Sequence, residues 1–97
     1  MNADTIIEML LSNKTQLKKY SVRKIGLFGS FLHGDESDNS DIDFLVEFFE
    51  KSFDNYMDLK FFLEELFKRP VDLVTHKALK RQLRDKILGE VMYVEGI

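Results

Sequence analysis

A small mixed β-sheet backed by helices, an α/β (α+β) domain in the order α-β-α-β-α-β-α, is the fold class this sequence predicts. Apolar residues recur at helical intervals in three long stretches and alternate over shorter ones between them. Glycine, a single proline and one polar run fall where the period changes. Strands joined through helices favour a mixed sheet with the helices laid on it, and neither an internal repeat nor a linker interrupts the chain.

Thr5-Ile6-Ile7-Glu8 has capping-box spacing and starts the first helix. Ile7, Leu10, Leu17 and Tyr20 carry it to about Tyr20, and Ser12-Asn13 weakens its middle. Ser21 to Phe28 reads as the first strand, with Ile25 and Leu27 on one face and Val22 and Phe28 on the other. Gly29 ends it, and Ser30 to His33 forms one helical turn. Gly34 to Ser40 is a polar loop. Asp41 to Phe48 alternates as the second strand, with Ile42, Phe44, Val46 and Phe48 facing the helices and Asp41 and Asp43 facing away. From an Asp54 N-cap a helix runs to about Lys68, with Tyr56, Leu59, Leu63 and Leu66 inward. Pro70 stops it and begins the third strand. Leu79, Leu83, Ile87 and Val91 mark a last helix, loosened by Gly89, before a short terminal strand over 92–94.

Ninety-seven residues suit one domain, 1–97, with one core and no room for a deep enclosed pocket. A 44% hydrophobic content, with nine Phe and three Tyr, places the chain among folded rather than disordered sequences. The absence of cysteine rules out disulfides and thiolate metal sites and fits a reducing, cytoplasmic setting. Met1-Asn2-Ala3-Asp4 is unlike a signal peptide, and no apolar run approaches membrane-spanning length. A net charge of −3 argues against general nucleic-acid binding, which depends on lysine and arginine meeting phosphates.

Charge is unevenly spread. No lysine or arginine occurs from Ile25 to Glu50, whereas Asp35, Glu36, Asp38, Asp41, Asp43, Glu47 and Glu50 do. Gly29-Ser30, ten intervening residues and then Asp41-Ile42-Asp43 combine a tight corner with two carboxylates on one side of a strand. Such a pair lies within reach of one hard cation with oxygen ligands, magnesium being the natural candidate. Gly29 lets the backbone approach a ligand, and the N–H groups after it can face a phosphate. A lone Asp-x-Asp is more often a solvent-facing pair on an amphipathic strand. The basic run Lys77, Lys80, Arg81, Arg84 and Lys86 reads first as the solvated side of a helix. A sharper alternative has Lys80, Arg81 or Arg84 meeting a triphosphate or an acidic partner. Phe61, Phe62 and Phe67 exceed one helix stripe, and core packing is favoured over a partner-facing patch.

Gly29-Ser30-Phe31-Leu32-His33-Gly34, then Ser40-Asp41-Ile42-Asp43-Phe44-Leu45-Val46, resembles the signature of the DNA polymerase β-like nucleotidyltransferase superfamily. It is most similar to the minimal nucleotidyltransferases that act as antitoxins beside HEPN-type ribonuclease toxins, over nearly the whole chain. The resemblance implies a polymerase β-like nucleotidyltransferase fold, with catalytic and metal-binding roles for Asp41, Asp43 and Asp72. Asp41 and Asp43 would hold two Mg2+ ions bridging the triphosphate of ATP; Asp72 would complete one site and help deprotonate the acceptor. Gly29, Ser30 and Ser40 would form the nucleotide-binding set, Ser30 through its hydroxyl and amide, with bracing of the acidic strand weighted first for Ser40. Relatives carry Ala-Arg-Gly where this chain has Leu32-His33-Gly34, which replaces a permanent charge by a group titrating near neutrality.

The function so implied is transfer of AMP from Mg-ATP to a tyrosine of a HEPN-type toxin encoded by a neighbouring gene, inactivating it. Two alternatives stand beside it: silencing of the partner by binding alone, and nucleotidyl transfer to a small molecule.

Overall fold

The computed structural model describes residues 1–97. Its elements are α1 (Ala3–Leu11), α2 (Lys14–Lys19), β1 (Val22–Phe28), α3 (Ser30–His33), β2 (Ile42–Phe48), α4 (Phe53–Phe67), β3 (Val71–Thr75), α5 (Arg81–Glu90) and β4 (Met92–Tyr93), with a 3-10 turn at His76–Ala78. The sheet order is β3-β2-β1-β4. β1 runs antiparallel to both β2 and β4, whereas β2 and β3, joined through α4, are parallel. The sheet is mixed, as the helical connections require.

The long first helix of the sequence reading is two helices. The break falls at the weak Ser12-Asn13 pair, where the Asn13 side chain donates to the Met9 carbonyl at 2.7 Å, a local bond that competes with the helix ladder. Both predicted starts lie too late. Asn2 caps α1 by accepting from the Thr5 amide at 2.9 Å, and Ser52 caps α4 by accepting from the Asn55 amide at 3.0 Å. Each supplies a side-chain oxygen to an otherwise orphaned N–H one turn in. Asp41 stands one residue ahead of β2, so the strand carries Asp43 and the chain entering it carries Asp41.

Strand β1 also departs from simple alternation. The pairing with β2 shifts between Val22 and Lys24, a bulge at Arg23. One extra residue turns Val22 onto the face of Ile25 and Leu27, and all three join the main core. That core fills the space between the sheet and α1, α2 and α4 with Ile6, Leu10, Leu17, Phe44, Leu59, Leu63 and Phe67, among others. Phe44 and Phe67 pack with ring centroids 5.8 Å apart. Burying one such ring contributes about 1.5–3 kcal/mol, which fixes the register of β2 against slippage. Phe67 is therefore core, Phe62 packs half-buried against Tyr20, and Phe61 alone is 58% exposed.

The opposite face of the sheet is half covered. Leu45, on the acidic side of β2, is fully buried yet lies outside the main cluster. A Cβ at Gly26 would stand 2.6 Å from Val91 Cγ2 and 2.9 Å from the Tyr93 ring, so only glycine admits the chain leading into β4. Helix α5 itself buries no residue, and Leu83, expected inward, is 47% exposed. Its basic side chains make no ion pair, which is the solvated face foreseen for that run.

Candidate functional site

The site forms where β1 ends and β2 and β3 begin. Gly29 turns the chain with φ +76°, a conformation that disfavours any side chain. A Cβ there would stand 2.0 Å from Asp43 Oδ2. Glycine is thus required twice, by its own torsion and by the carboxyl pressed against it. Ser30 opens α3, and the amides of Leu32 and His33 are taken by the Gly29 carbonyl at 3.1 and 3.3 Å.

Asp43 pairs laterally with Phe28 on one side and with Asp72 on the other. Laterally paired residues of parallel strands point to the same face, so Asp43 and Asp72 stand side by side. Partial burial pushes the Asp43 carboxyl up to about 6, and the charges of Asp72 and then Asp41 push it the same way. Side-chain hydrogen bonding with Asp72 raises it further. Asp41 is exposed, and its effect on Asp43 ranks behind burial and Asp72. No three acidic or histidine side chains stand at the mutual spacing of one ion's ligands. Asp72 and Asp41 each raise the Asp43 carboxyl, as like charges that repel one another do. As a donor set they are hard oxygens, suited to a hard divalent cation whose charge would relieve that repulsion.

The flanking groups are occupied. The Ser40 hydroxyl accepts from the Ser37 amide at 2.9 Å and lies 3.3 Å from the Ser37 hydroxyl, bracing the loop before Asp41. His33 Nε2 meets Glu90 Oε2 at 2.9 Å, tying α3 to the end of α5. His76 Nε2 lies 3.3 Å from the Tyr93 hydroxyl, far along β3 from the acids. A hollow of about 460 Å³ lined by Lys24, Glu47, Lys51, Thr75, His76 and Lys77 opens at that far end and is separate from the carboxylates.

Two features escaped the sequence reading. Arg69 sends Nη1 to the carbonyls of Ser37, Asp38 and Ser40 at 3.3, 3.1 and 3.1 Å, bringing a cation to the acidic loop. Along α4, Tyr56 donates to the Leu73 carbonyl, Lys60 donates to the Val71 carbonyl at 3.0 Å, and Glu64 accepts from the Val71 amide at 3.0 Å. Their spacing of four residues was visible as one helix face, but not its target. Burial, then the charge of Asp72, holds the Tyr56 phenol above its usual value.

Comparison with known proteins yields consistent relatives. Residues 8–95 match the family model described as polymerase beta, nucleotidyltransferase. The protein adenylyltransferase MntA of Thermococcus cleftensis is 36% identical over 96 residues, covering 97% of each chain. A Methanocaldococcus jannaschii protein, provisionally named a protein adenylyltransferase, is 40% identical over 94 residues, covering 92% of this chain and 94% of its own. Among solved structures, one provisionally named a minimal nucleotidyltransferase superposes with a TM-score of 0.79 at 28% identity, covering 95% of each chain. A toxin–antitoxin structure with AMP-PNP gives 0.68 at 26% identity, covering all of this chain and 75% of the other.

Proposed function

The chain belongs to the polymerase β nucleotidyltransferase family, and on that premise we propose that it is an antitoxin that transfers AMP from ATP to a tyrosine hydroxyl of a HEPN-type toxin. The observation that carries this reading is the lateral pairing of Asp43 with Asp72 beside Gly29. It supports one reaction centre built from the ends of three strands. The relatives named for adenylylation of protein, and the toxin–antitoxin neighbour with AMP-PNP, support the donor and the class of acceptor.

In this proposal the whole chain, 1–97, works as one domain. The acceptor oxygen attacks the α-phosphorus in line, the bond from that phosphorus to the bridging oxygen breaks, and pyrophosphate leaves. The acceptor proton passes to Asp72, which is exposed. Asp41, Asp43 and Asp72 would hold Mg2+, two ions being expected, which when bound supplies neutralisation of the attacking and leaving oxygens. Gly29 and Ser30 receive the phosphates, while Ser40 keeps the entering loop in place. Phosphoryl chemistry of this kind asks the protein for positioning and charge more than for covalent participation. The open, acid-lined surface is suited to an acceptor that arrives on another protein and completes the site by docking.

The test is to incubate the chain with the product of its neighbouring gene, ATP and Mg2+, and to weigh that product by mass spectrometry. A gain of one or more AMP units, absent when Asp41 and Asp43 are both changed to Asn, is expected. An unchanged mass counts against the proposal. A second reading, silencing by binding alone, is favoured by one contact: His33, standing where relatives carry arginine, is engaged by Glu90. Neutralisation of the partner that persists in the double Asn variant would select it.

A further inference from the structure

We propose that Arg69 is a positioning residue of the transfer site, which it serves by fixing the backbone on either side of Asp41. The inference rests on the proposed nucleotidyl-transfer centre and goes beyond it, since Arg69 touches no reacting atom. Three observations converge on it.

Asp41 precedes β2 and has no strand ladder before it to hold it. The carbonyl of the preceding residue, Ser40, accepts from Arg69 Nη1 at 3.1 Å. The amide of the following residue, Ile42, donates to the Pro70 carbonyl at 3.1 Å. The dipeptide Arg69-Pro70 therefore grips the chain immediately before and immediately after Asp41. Pro70 holds its own φ near one value, which removes one backbone freedom between the two grips.

Nη1 also reaches the carbonyls of Ser37 and Asp38. Three carbonyls turned toward one nitrogen shape the loop into a cup. The guanidinium carbon lies 5.1 Å from the centroid of the Phe31 ring. Phe31 is buried in α3, directly after the Gly29-Ser30 corner. Arg69 thus links the phosphate corner, the loop to Asp41 and the start of β3 that bears Asp72. A lysine would keep the charge but lose the guanidinium that lies over the Phe31 ring, so it restores the arrangement only in part.

The measurement uses the full chain as wild type, Arg69→Lys, Arg69→Met and a control, Arg23→Met, whose ion pair with Glu47 lies elsewhere on the sheet. Mn2+ binding in the presence of AMP-PNP is followed by calorimetry. Amide hydrogen exchange is followed over residues 35–42, and folding is checked by circular dichroism. Removal of groups that orient metal ligands weakens metal binding by about 10–100-fold. Arg69→Met is expected to fall in that range with faster exchange confined to 35–42, Arg69→Lys to lie between, and Arg23→Met to match wild type.

A folded Arg69→Met that binds Mn2+ like wild type overturns the proposal. Should Arg69→Met fail to fold, Arg69→Lys decides: unaltered affinity overturns the proposal, and weakened affinity with faster loop exchange supports it. Wild type that binds no Mn2+ with AMP-PNP overturns the parent reading together with this one. That outcome is distinguishable, because it appears before any variant is compared.

Discussion

Asp43 is held against Gly29 and beside Asp72, and the chain bears an energetic cost for it. Its carboxyl titrates at about 6 in the folded protein against 3.8 for the free side chain. Between those values the folded chain keeps a proton that the unfolded chain releases, so stability falls as pH rises through that window and stays lower above it. Asp43→Asn is expected to melt at a higher temperature than wild type at pH 7 in the absence of divalent metal. The difference should shrink as the pH falls below 6 and vanish near 4. Added Mg2+ should raise the melting temperature of wild type but not of the variant. Identical pH profiles for the two proteins would contradict this account of the site's charge. At Gly29, replacement by alanine forces both an unfavourable torsion and a collision with Asp43. A loss of about 1–3 kcal/mol in urea unfolding is expected from the torsion and clash together. In Gly29→Ala combined with Asp43→Gly the collision is gone, so the combined loss should be smaller than the sum of the two single losses.

Among the elements, α4 does more than bury Leu59 and Leu63. Strand β3 is an edge, and an edge strand with free N–H and C=O groups is a template for unwanted pairing. Tyr56, Lys60 and Glu64 occupy the outward groups of Val71 and Leu73 one turn apart. Tyr56→Phe and Glu64→Met are each expected to cost about 0.5–1.5 kcal/mol, the net worth of a hydrogen bond. Tyr56→Phe with Lys60→Met should raise the tendency to aggregate, measured by light scattering at matched fractions folded. Unchanged stability and scattering in both would mean that these bonds do not guard the edge. Most elements were legible in the sequence because helical and alternating periods are imposed by burial itself, as in Leu59-Leu63 and Phe44-Val46. The bulge at Arg23 was not, since an inserted residue in a strand leaves no change of composition. Nor was the exposure of Leu83, because α5 has an apolar stripe but little sheet beneath it. Within the candidate site, the nearness of Gly29 and Asp43 could be read from their spacing, whereas Asp72 entered through the family resemblance. Arg69 could not be read, because its partners are backbone carbonyls, whose directions no residue letter records.

At the scale of the molecule, charge is unevenly spread. Carboxylates gather at the start of β2 and β3, while Lys24, Lys51 and Lys77 surround the hollow at their far end. No helix of the chain is long and apolar enough to cross a membrane. At the acidic end Asp72 is exposed and Asp43 half-buried, which suits the proposed acceptor on a second protein. The reaction assigned to that end moves the α-phosphorus of ATP with its nucleoside, not the γ-phosphoryl group. Parallel incubations of the chain and its neighbouring gene product with Mg2+ and either α- or γ-labelled ATP distinguish the two. The account predicts label on the partner from α-labelled ATP only, abolished by Asp43→Asn. Label from γ-labelled ATP, or undiminished α-label in Asp43→Asn, would contradict it.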